Sequence, residues 1–525
     1  MTSCLCTHSR LFAGLLATAA VGLLVAGCGS GQPAPAASLF PGAAVPSGSW
    51  PYPNGDLANT RDAVGSPITS ANVSKLKEAW TFQLSGQAAA SLEDAGSLAA
   101  NPVVVNGTVY MQDLYCNVYA LSLATGKLEW EYTANTPEKT GPGPNGVAVT
   151  GGRVYGTTPT TVFALDAATG AAIWTDSSLL SSGQGTFEIQ PQVAGGRVYV
   201  ASAYGSGPGG GVLMALNAAT GKRLWSFDTV TGGQAAGEIA LGLGSGGAWE
   251  TPLVGSDGSV TFGIGNPYQS IGSAIAHPSA DLYTDSEVNL DASTGKLRWY
   301  YQAVPNDFKD WDMQISPIPA SVNGVPAVIG AGKMGDVYAM NAATGKLLWK
   351  TPVGEHNGTD NDSLLLLEHK ITTLKLPYTF APGSLGGVLT DMAVADGSVY
   401  VATLDVPLIF KTPQSVDGDA APAGTTAAGE VVALSLATGK VEWDTKVTSL
   451  PLGATTVVND LVFTTLENGT LLALNRSTGA IVYSHKLPAA TNAPIAVAGN
   501  AVIVPAGGPG PKGGGKPQVV VYTVP

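Results

Sequence analysis

The sequence predicts an all-β fold, an eight-bladed β-propeller, on three observations. One motif recurs seven times, short alternating strands flank the copies, and unmatched strands stand at both ends. The copies are "VYALSLATGKLEW" ending at Trp130, "VFALDAATGAAIW" at Trp174, "LMALNAATGKRLW" at Trp225, "EVNLDASTGKLRW" at Trp299, "VYAMNAATGKLLW" at Trp349, "VVALSLATGKVEW" at Trp443 and "LLALNRSTGAIVY" at Tyr483. Their turn glycines, Gly126, Gly170, Gly221, Gly295, Gly345, Gly439 and Gly479, are separated by 44, 51, 74, 50, 94 and 40 residues. The short intervals suit one four-stranded blade each, and the long ones suit blades with insertions.

Each copy has a physical logic. An alternating strand such as Val118-Tyr119-Ala120-Leu121 runs into Asp/Asn/Ser-x-x-Thr-Gly. There a polar side chain bonds nearby backbone and glycine takes the positive φ. The strand leaving the turn carries an aromatic four residues after the glycine, placed to wedge between blades while its indole N–H finds a carbonyl. Upstream hairpins such as "NPVVVNGTVYM" and "GVAVTGGRVYG" supply the remaining strands. "KEAWTFQL" at the start and "APIAVAGNAVIVPAGG" with "PQVVVYTVP" at the end lack the turn. Paired, they make an eighth blade and remove exposed edges; seven blades is the other closure.

The first residues concern the compartment. Arg10 precedes the apolar run "LFAGLLATAAVGLLVAGC", which has the basic start and short hydrophobic core of a secretory signal. Val25-Ala26-Gly27-Cys28 resembles the bacterial lipobox, which implies lipidation at Cys28. The expected organisation is a leader over 1–27, a Gly/Pro/Ala tether over 28–49 and one propeller domain over 50–525. The chain is then exported, a cell-membrane lipoprotein on the extracytoplasmic face, attached by lipid alone.

Cys4 and Cys6 leave with the leader, and acylated Cys28 with Cys116 cannot make an intramolecular disulfide. A large core must stabilise the fold instead, and about 475 residues can bury one. No C-x-x-C-H is present for covalent haem. Losing Arg10 takes the 25 basic residues to 24 against 38 acidic, a net charge of −14, which excludes nucleic acid as a natural partner.

Only 12% of residues are charged, yet "QAVPNDFKDWDMQISPIP", from Gln302 to Pro319, gathers three Asp, one Lys and a Trp. Such a knot is either a solvated loop joining blades or a site. "GEHNGTDNDS", Gly354 to Ser363, is rich in ligand-type side chains without metal-like spacing; it opens the long insertion between the fifth and sixth copies and reads as a loop over one face, a lid.

The Ala-x-(Asp/Asn/Ser)-x-x-Thr-Gly-Lys-x-x-Trp copy resembles the tryptophan-docking repeat of propellers related to pyrroloquinoline quinone (PQQ) enzymes. Two branches share it, the quinoprotein alcohol dehydrogenases and non-catalytic lipoproteins such as the BamB scaffold of outer-membrane assembly. "SWPYPNGDLANTRDAVGSPITSANVSKLKEAWTF", "GGAWETPLVGSDGSVTFGIGNP" and "DLYTDSEVNLDASTGKLRWYYQAVPNDFKDWDM" resemble dehydrogenase segments. The resemblance implies roles for individual residues. Asp312 becomes the base that takes the alcohol proton and lies at the metal, Asn266 a metal ligand, Trp249 the ring stacked on the quinone, and Lys333 the cation at its oxygens. Gln314, where lanthanide-dependent relatives carry an extra Asp, implies calcium. A separate electron carrier would then be the partner.

Departures point the other way. The family's metal-binding Glu falls on Ser206, the Arg after it on Gly210, another Glu on Ala99, a carboxylate-holding Arg on Asn145, and an Asn on Val388 or Leu389. The adjacent Cys-Cys pair has no counterpart. Glu188 falls on a cofactor-contacting Thr position and returns a carboxylate to the centre. The sequence therefore leaves two functions open. One is a lipid-anchored quinoprotein-like oxidoreductase using PQQ and calcium. The other is a non-catalytic propeller, a scaffold or ligand-binding protein of the cell envelope.

Overall fold

Eight antiparallel sheets form the ring, seven of four strands and one, the third blade, of five, because Thr186–Phe187 adds to it. The computed structural model describes residues 45–46, 48–84, 98–134, 136, 145–205, 210–230, 246–507 and 516–525; the leader, Cys28, most of the tether and Ser206 lie outside them. The described residues belong to one unit, Leu39–Pro525. Among them no helix is long and apolar enough to cross a membrane.

The first blade contains Val103–Val105, Thr108–Gln112, Val118–Ser122 and Leu128–Tyr132, with its strands hydrogen-bonded in that order. Blades two to seven repeat the plan over 148–176, 192–228, 253–302, 318–352, 393–447 and 456–486. The eighth closes the ring with both ends of the chain: Lys77–Gln83 pairs with Gln518–Thr523, Trp80 facing Val521. The middle strands are buried along their length, whereas the outer strand of the third blade, Arg223–Asp228, buries only Trp225 fully.

The motif places that tryptophan. In the third blade Ala215 faces Trp225 while Leu216 faces Arg223, so Leu224 is an extra residue that bends the outer strand. Trp225 Nε1 then donates to Ala292 O of the next blade's turn at 3.0 Å. The same bond joins Trp80 to Leu123, Trp130 to Ala167, Trp174 to Ala218, Trp299 to Ala342, Trp349 to Leu436 and Trp443 to Arg476. The turn glycine lies under the ring. A Cβ on Gly295, whose φ is +70°, would sit 2.7 Å from Trp225. Glycine is thus required twice, by backbone and by contact.

The leading segment from Trp50 crosses the ring's centre. Trp50 exchanges backbone hydrogen bonds with Val104 in the first blade, and Val457 of the seventh accepts from Ala63 and donates to Arg61 O. Asn54 donates to Ser316 Oγ, and Asn59 donates to Thr251 O and Pro317 O. Arg61, fully buried, donates to Asn54, Asn101, Thr455 O, Thr456 Oγ1 and Ile495 O. One guanidinium with its fork satisfied ties the segment to the first, seventh and eighth blades.

The insertion after the fifth blade holds a short helix, Asp362–Leu367, and the strand Tyr378–Phe380, which pairs with Leu408–Phe410 from an insertion within the sixth blade. This two-stranded sheet stacks Phe380 on Phe410, ring centroids 4.6 Å apart, and both Phe410 and Tyr378 pack on Phe308 of the acidic knot.

Candidate functional site

The knot is a buried loop, and its residue order explains its shape. Asp307 accepts the N–H of Lys309 and of Trp311, which folds the chain back on itself. Phe308, Trp311 and Met313 turn into the core. Trp311 Nε1 donates to Pro382 O, and Lys309 Nζ lies 4.0 Å from the centre of the Trp311 ring while donating to Thr359 O. With its aromatic and basic members tied under the insertion, the loop presents Asp310 and Asp312 to the ring's centre. Asp310 has φ +60° and is 7% exposed; Asp312 is fully buried.

Four residues named from the sequence meet there. Asn266, beyond the strand Ser259–Gly263, donates its N–H to Asp312 Oδ1 at 2.7 Å. Lys333, beyond the strand Val325–Ala331, places Nζ 2.6 Å from Asp312 Oδ2 and 2.7 Å from Asp310 Oδ2. Trp249 closes the side: a Cβ on Gly265 would lie 2.7 Å from Asp312 Oδ1 and 2.8 Å from the Trp249 ring. Only glycine lets the ring and the carboxylate share that position. Glu188 is buried beside Thr186 Oγ1, 3.3 Å away, and acts electrostatically on the Tyr204 hydroxyl. It stands on the Tyr204 side of the centre.

Burial disfavours the Lys333 ammonium, but Asp310 and Asp312 outweigh it and hold the pKa above the lysine range. Burial also pushes Asp310 well up, against the pull of Lys333. Asp310 and Asp312 thus share the single ammonium of Lys333. The Asn266 Oδ1 and Asp310 Oδ1 atoms are buried with no hydrogen-bond partner.

Several neighbours carried no sequence signal. Tyr204 and Tyr268 face each other with ring centroids 6.4 Å apart, and both sit at positive φ. Asp417 arrives from the second insertion of the sixth blade, and burial lifts its pKa to about 6. Asp285, in the turn before the strand Ser286–Asp291, and Glu287 on that strand are fully buried and have no hydrogen-bond partner on any carboxylate oxygen. Burial raises both well above the carboxylate range. Neither spacing nor a motif marked them in the sequence.

The family model described as the glucose/ethanol/alcohol dehydrogenase β-propeller domain matches residues 50–150 and 181–360, more than half of the chain. The chain belongs to this dehydrogenase-propeller family. A second model, that of the outer membrane protein assembly factor BamB, matches residues 284–453 and 427–517. The dehydrogenase subunit of a quinone-dependent alcohol dehydrogenase from Gluconobacter oxydans is 27% identical over 65% of the chain and 51% of its own length. A quinohemoprotein alcohol dehydrogenase from Comamonas testosteroni is 25% identical over 82% of the chain and 68% of its own length. The chain thus spans between half and about two thirds of these two relatives. The solved quinohemoprotein alcohol dehydrogenase ADHIIG from Pseudomonas putida HK5 shares the fold, with a TM-score of 0.78 and 21% identity over 91% of the chain and 80% of its own.

Membership of the dehydrogenase-propeller family raises the question of whether these residues suit its quinone. Trp249 suits a flat ring, Lys333 a carbonyl oxygen, and the unpartnered Asn266 Oδ1 a hard cation. The three carboxylates of PQQ meet no such match. Ala99 is apolar, Gly210 has no side chain, and Val388 is apolar with its N–H given to Gly332 O. Asn145 is fully buried, its amide donates to Asp113 O at 2.8 Å, and its Oδ1 has no partner. Among the described residues Lys333 is the single cation acting on Tyr204, against Glu188, Asp312 and Asp310. A tricarboxylate does not fit this half of the centre.

Proposed function

We propose that the protein is an exported, lipid-anchored, ligand-binding propeller of the cell envelope, built on the quinoprotein dehydrogenase plan but working without PQQ. Cys28 carries the anchor, the tether over 28–49 holds the domain at the extracytoplasmic face, and the ligand enters the acidic centre around Asp310 and Asp312. The single observation behind this reading is the charge inventory: among the described residues Lys333 is the one cation acting on Tyr204, it is already paired with two carboxylates, and no cationic side chain stands at Ala99, Asn145 or Gly210. A desolvated polyanion needs paired cations. Titrating the purified chain with PQQ and calcium in a calorimeter tests it. No heat of binding is expected, and one-to-one binding with PQQ-dependent dye reduction overturns it.

A second reading is favoured by a different observation, the meeting of Asp312, Asn266, Lys333 and Trp249 at one point. It makes the chain an alcohol-oxidising quinoprotein that hands electrons to a separate carrier. Trp249, Lys333 and Glu188 then hold PQQ, Asn266 and Asp312 hold calcium, and Asp312 accepts the alcohol proton. The dye-reduction arm of the same experiment separates the two.

A further inference from the structure

We infer that the central site takes an organic ammonium ion, held by the carboxylates of Asp310 and Asp417 and contacted by the rings of Tyr204 and Tyr268. This rests on the ligand-binding reading above and names its ligand class.

Three independent features converge on that chemistry. The first is unused acceptor capacity. Asp310 Oδ2 is bound to Lys333, but its Oδ1, on a side chain 7% exposed, has no partner, and neither has the buried Oδ1 of Asp417. A buried acceptor left unpaired costs free energy unless a donor arrives. Asp417 is held in place by its backbone, whose carbonyl accepts from Ser384 Oγ at 2.5 Å, while its Oδ1 has no partner.

The second feature is aromatic. Tyr204 has φ +57° and Tyr268 φ +51°, a backbone region that bulky side chains rarely adopt. The strain holds the two phenols facing each other, tilted by 35°. Tyr204 is 42% exposed and Tyr268 half-buried, whereas Asp310 and Asp312 are buried. The charge that acts most on the Tyr268 hydroxyl is that of Asp310, followed by Asp312. Aromatic faces with a carboxylate at their base attract an ammonium ion by the ring quadrupole and by charge together.

The third feature is the sign of the field. The charges that act on Tyr204 and on Asp417 are those of Glu188, Asp312, Asp310 and Asp307 against Lys333. Lys333 is spent on two carboxylates, so the remaining field is negative. A hard metal ion is the poorer match, because it needs six or more oxygens and two phenol rings supply none of the usual ones. Among the described residues no group of three or more His, Cys, Asp or Glu is arranged to hold one.

The test uses the full chain in detergent, treated with EDTA, and follows intrinsic tryptophan fluorescence and calorimetry. The probes are choline, tetramethylammonium and spermidine, with 3,3-dimethylbutan-1-ol as the uncharged isostere of choline. Saturable one-to-one binding of an ammonium probe is expected, at least ten-fold tighter than the isostere. Asp310→Asn and Tyr268→Leu should each weaken it ten-fold or more; the tyrosine variant leaves the buried ion pairs alone, so it reads the site even if the aspartate variant unfolds. Equal binding of choline and its isostere, no binding of any ammonium probe, or a response to calcium alone overturns the inference. If PQQ also fails to bind, only the ligand class falls; if PQQ binds, the ligand-binding reading falls with it.

Discussion

Lys333 Nζ stands 2.6 Å from Asp312 Oδ2 and 2.7 Å from Asp310 Oδ2, one buried ammonium shared by two carboxylates of a single loop. The two acids can share it because Trp311 between them turns the opposite way, its indole donating to Pro382 O. Removing the ammonium leaves both acids facing each other in a dry place. Lys333→Met should therefore cost about 3–5 kcal/mol in urea unfolding. Adding Asp310→Asn should recover part of that loss, because it removes one of the two stranded charges. Equal stability of the single and double variants would show that the pair is not coupled.

The docking contacts make a second expectation quantitative. Gly295→Ala places a Cβ 2.7 Å from the Trp225 ring on a backbone at φ +70°. The two penalties act together, and a loss of about 2 kcal/mol or more is expected. Gly324→Ala is the control. It shares a positive φ, +82°, but has nothing within 4 Å, so it should lose only the backbone part. If thermal unfolding finds the two variants alike, contact with the tryptophan contributes nothing.

The ring was legible in the sequence because each blade carries its own local chemistry: the Thr-Gly turn, the bulge and the aromatic are all within one copy. Even the eighth blade followed, since unpaired strands at both ends had to find each other. The centre was only partly legible. Asp312, Asn266, Trp249 and Lys333 could be named through their resemblance to dehydrogenase segments, although they are 64 or more residues apart in two of the pairings. Tyr204, Tyr268 and Asp417 could not, because each sits in a loop where neither period nor spacing constrains a side chain. Arg61 was missed for the same reason. Its partners Asn101, Thr455 and Ile495 are distant in sequence, and no local pattern records a bond of that range. The loop at Gly354–Ser363 read as a lid; it packs on the knot through Thr359 O and Lys309.

Stability should depend on pH through the loop itself. Burial raises Asp307 from 3.8 to about 6, with Lys309 pulling it down. The folded state then binds a proton that the unfolded chain has already lost between those values. Stability is full below pH 4 as far as this group is concerned, and falls as pH rises through 6. The size is on the order of 3 kcal/mol. Burial lowers Lys309 to about 8, so its part runs the other way and stability recovers from pH 8 towards 10. Asp307→Asn should flatten the limb between pH 4 and 6 in urea titrations at fixed salt. An unchanged limb would assign it to another acid, such as Asp62, which burial also raises to about 6.

The anchor yields a separate expectation. If Cys28 is acylated, Cys28→Ser should move the protein from the membrane fraction to the soluble one. Its urea midpoint should stay the same, since Cys28 lies outside the repeats that build the ring. Membrane partition that survives the substitution rejects lipid attachment at this residue.

Glu188 separates the two functional readings most sharply. If it replaces the family's lost metal ligand, its carboxylate must join Asn266 and Asp312 around one cation. The structure instead sets it beside Thr186, where its charge acts on the Tyr204 hydroxyl, and no group of three acids in the described residues is arranged for a metal. A carboxylate there adds to the negative field at Tyr204, which an ammonium ion would meet. Glu188→Thr should accordingly weaken the binding of choline several-fold and leave the response to calcium, read as a shift in Tm, unchanged from that of the parent chain. Asp312→Asn should lower stability through its lost pairing with Lys333 without creating any calcium response. A calcium-dependent rise in Tm that is present in the parent and lost in Glu188→Thr would place Glu188 at a metal and favour the alcohol-oxidising reading instead.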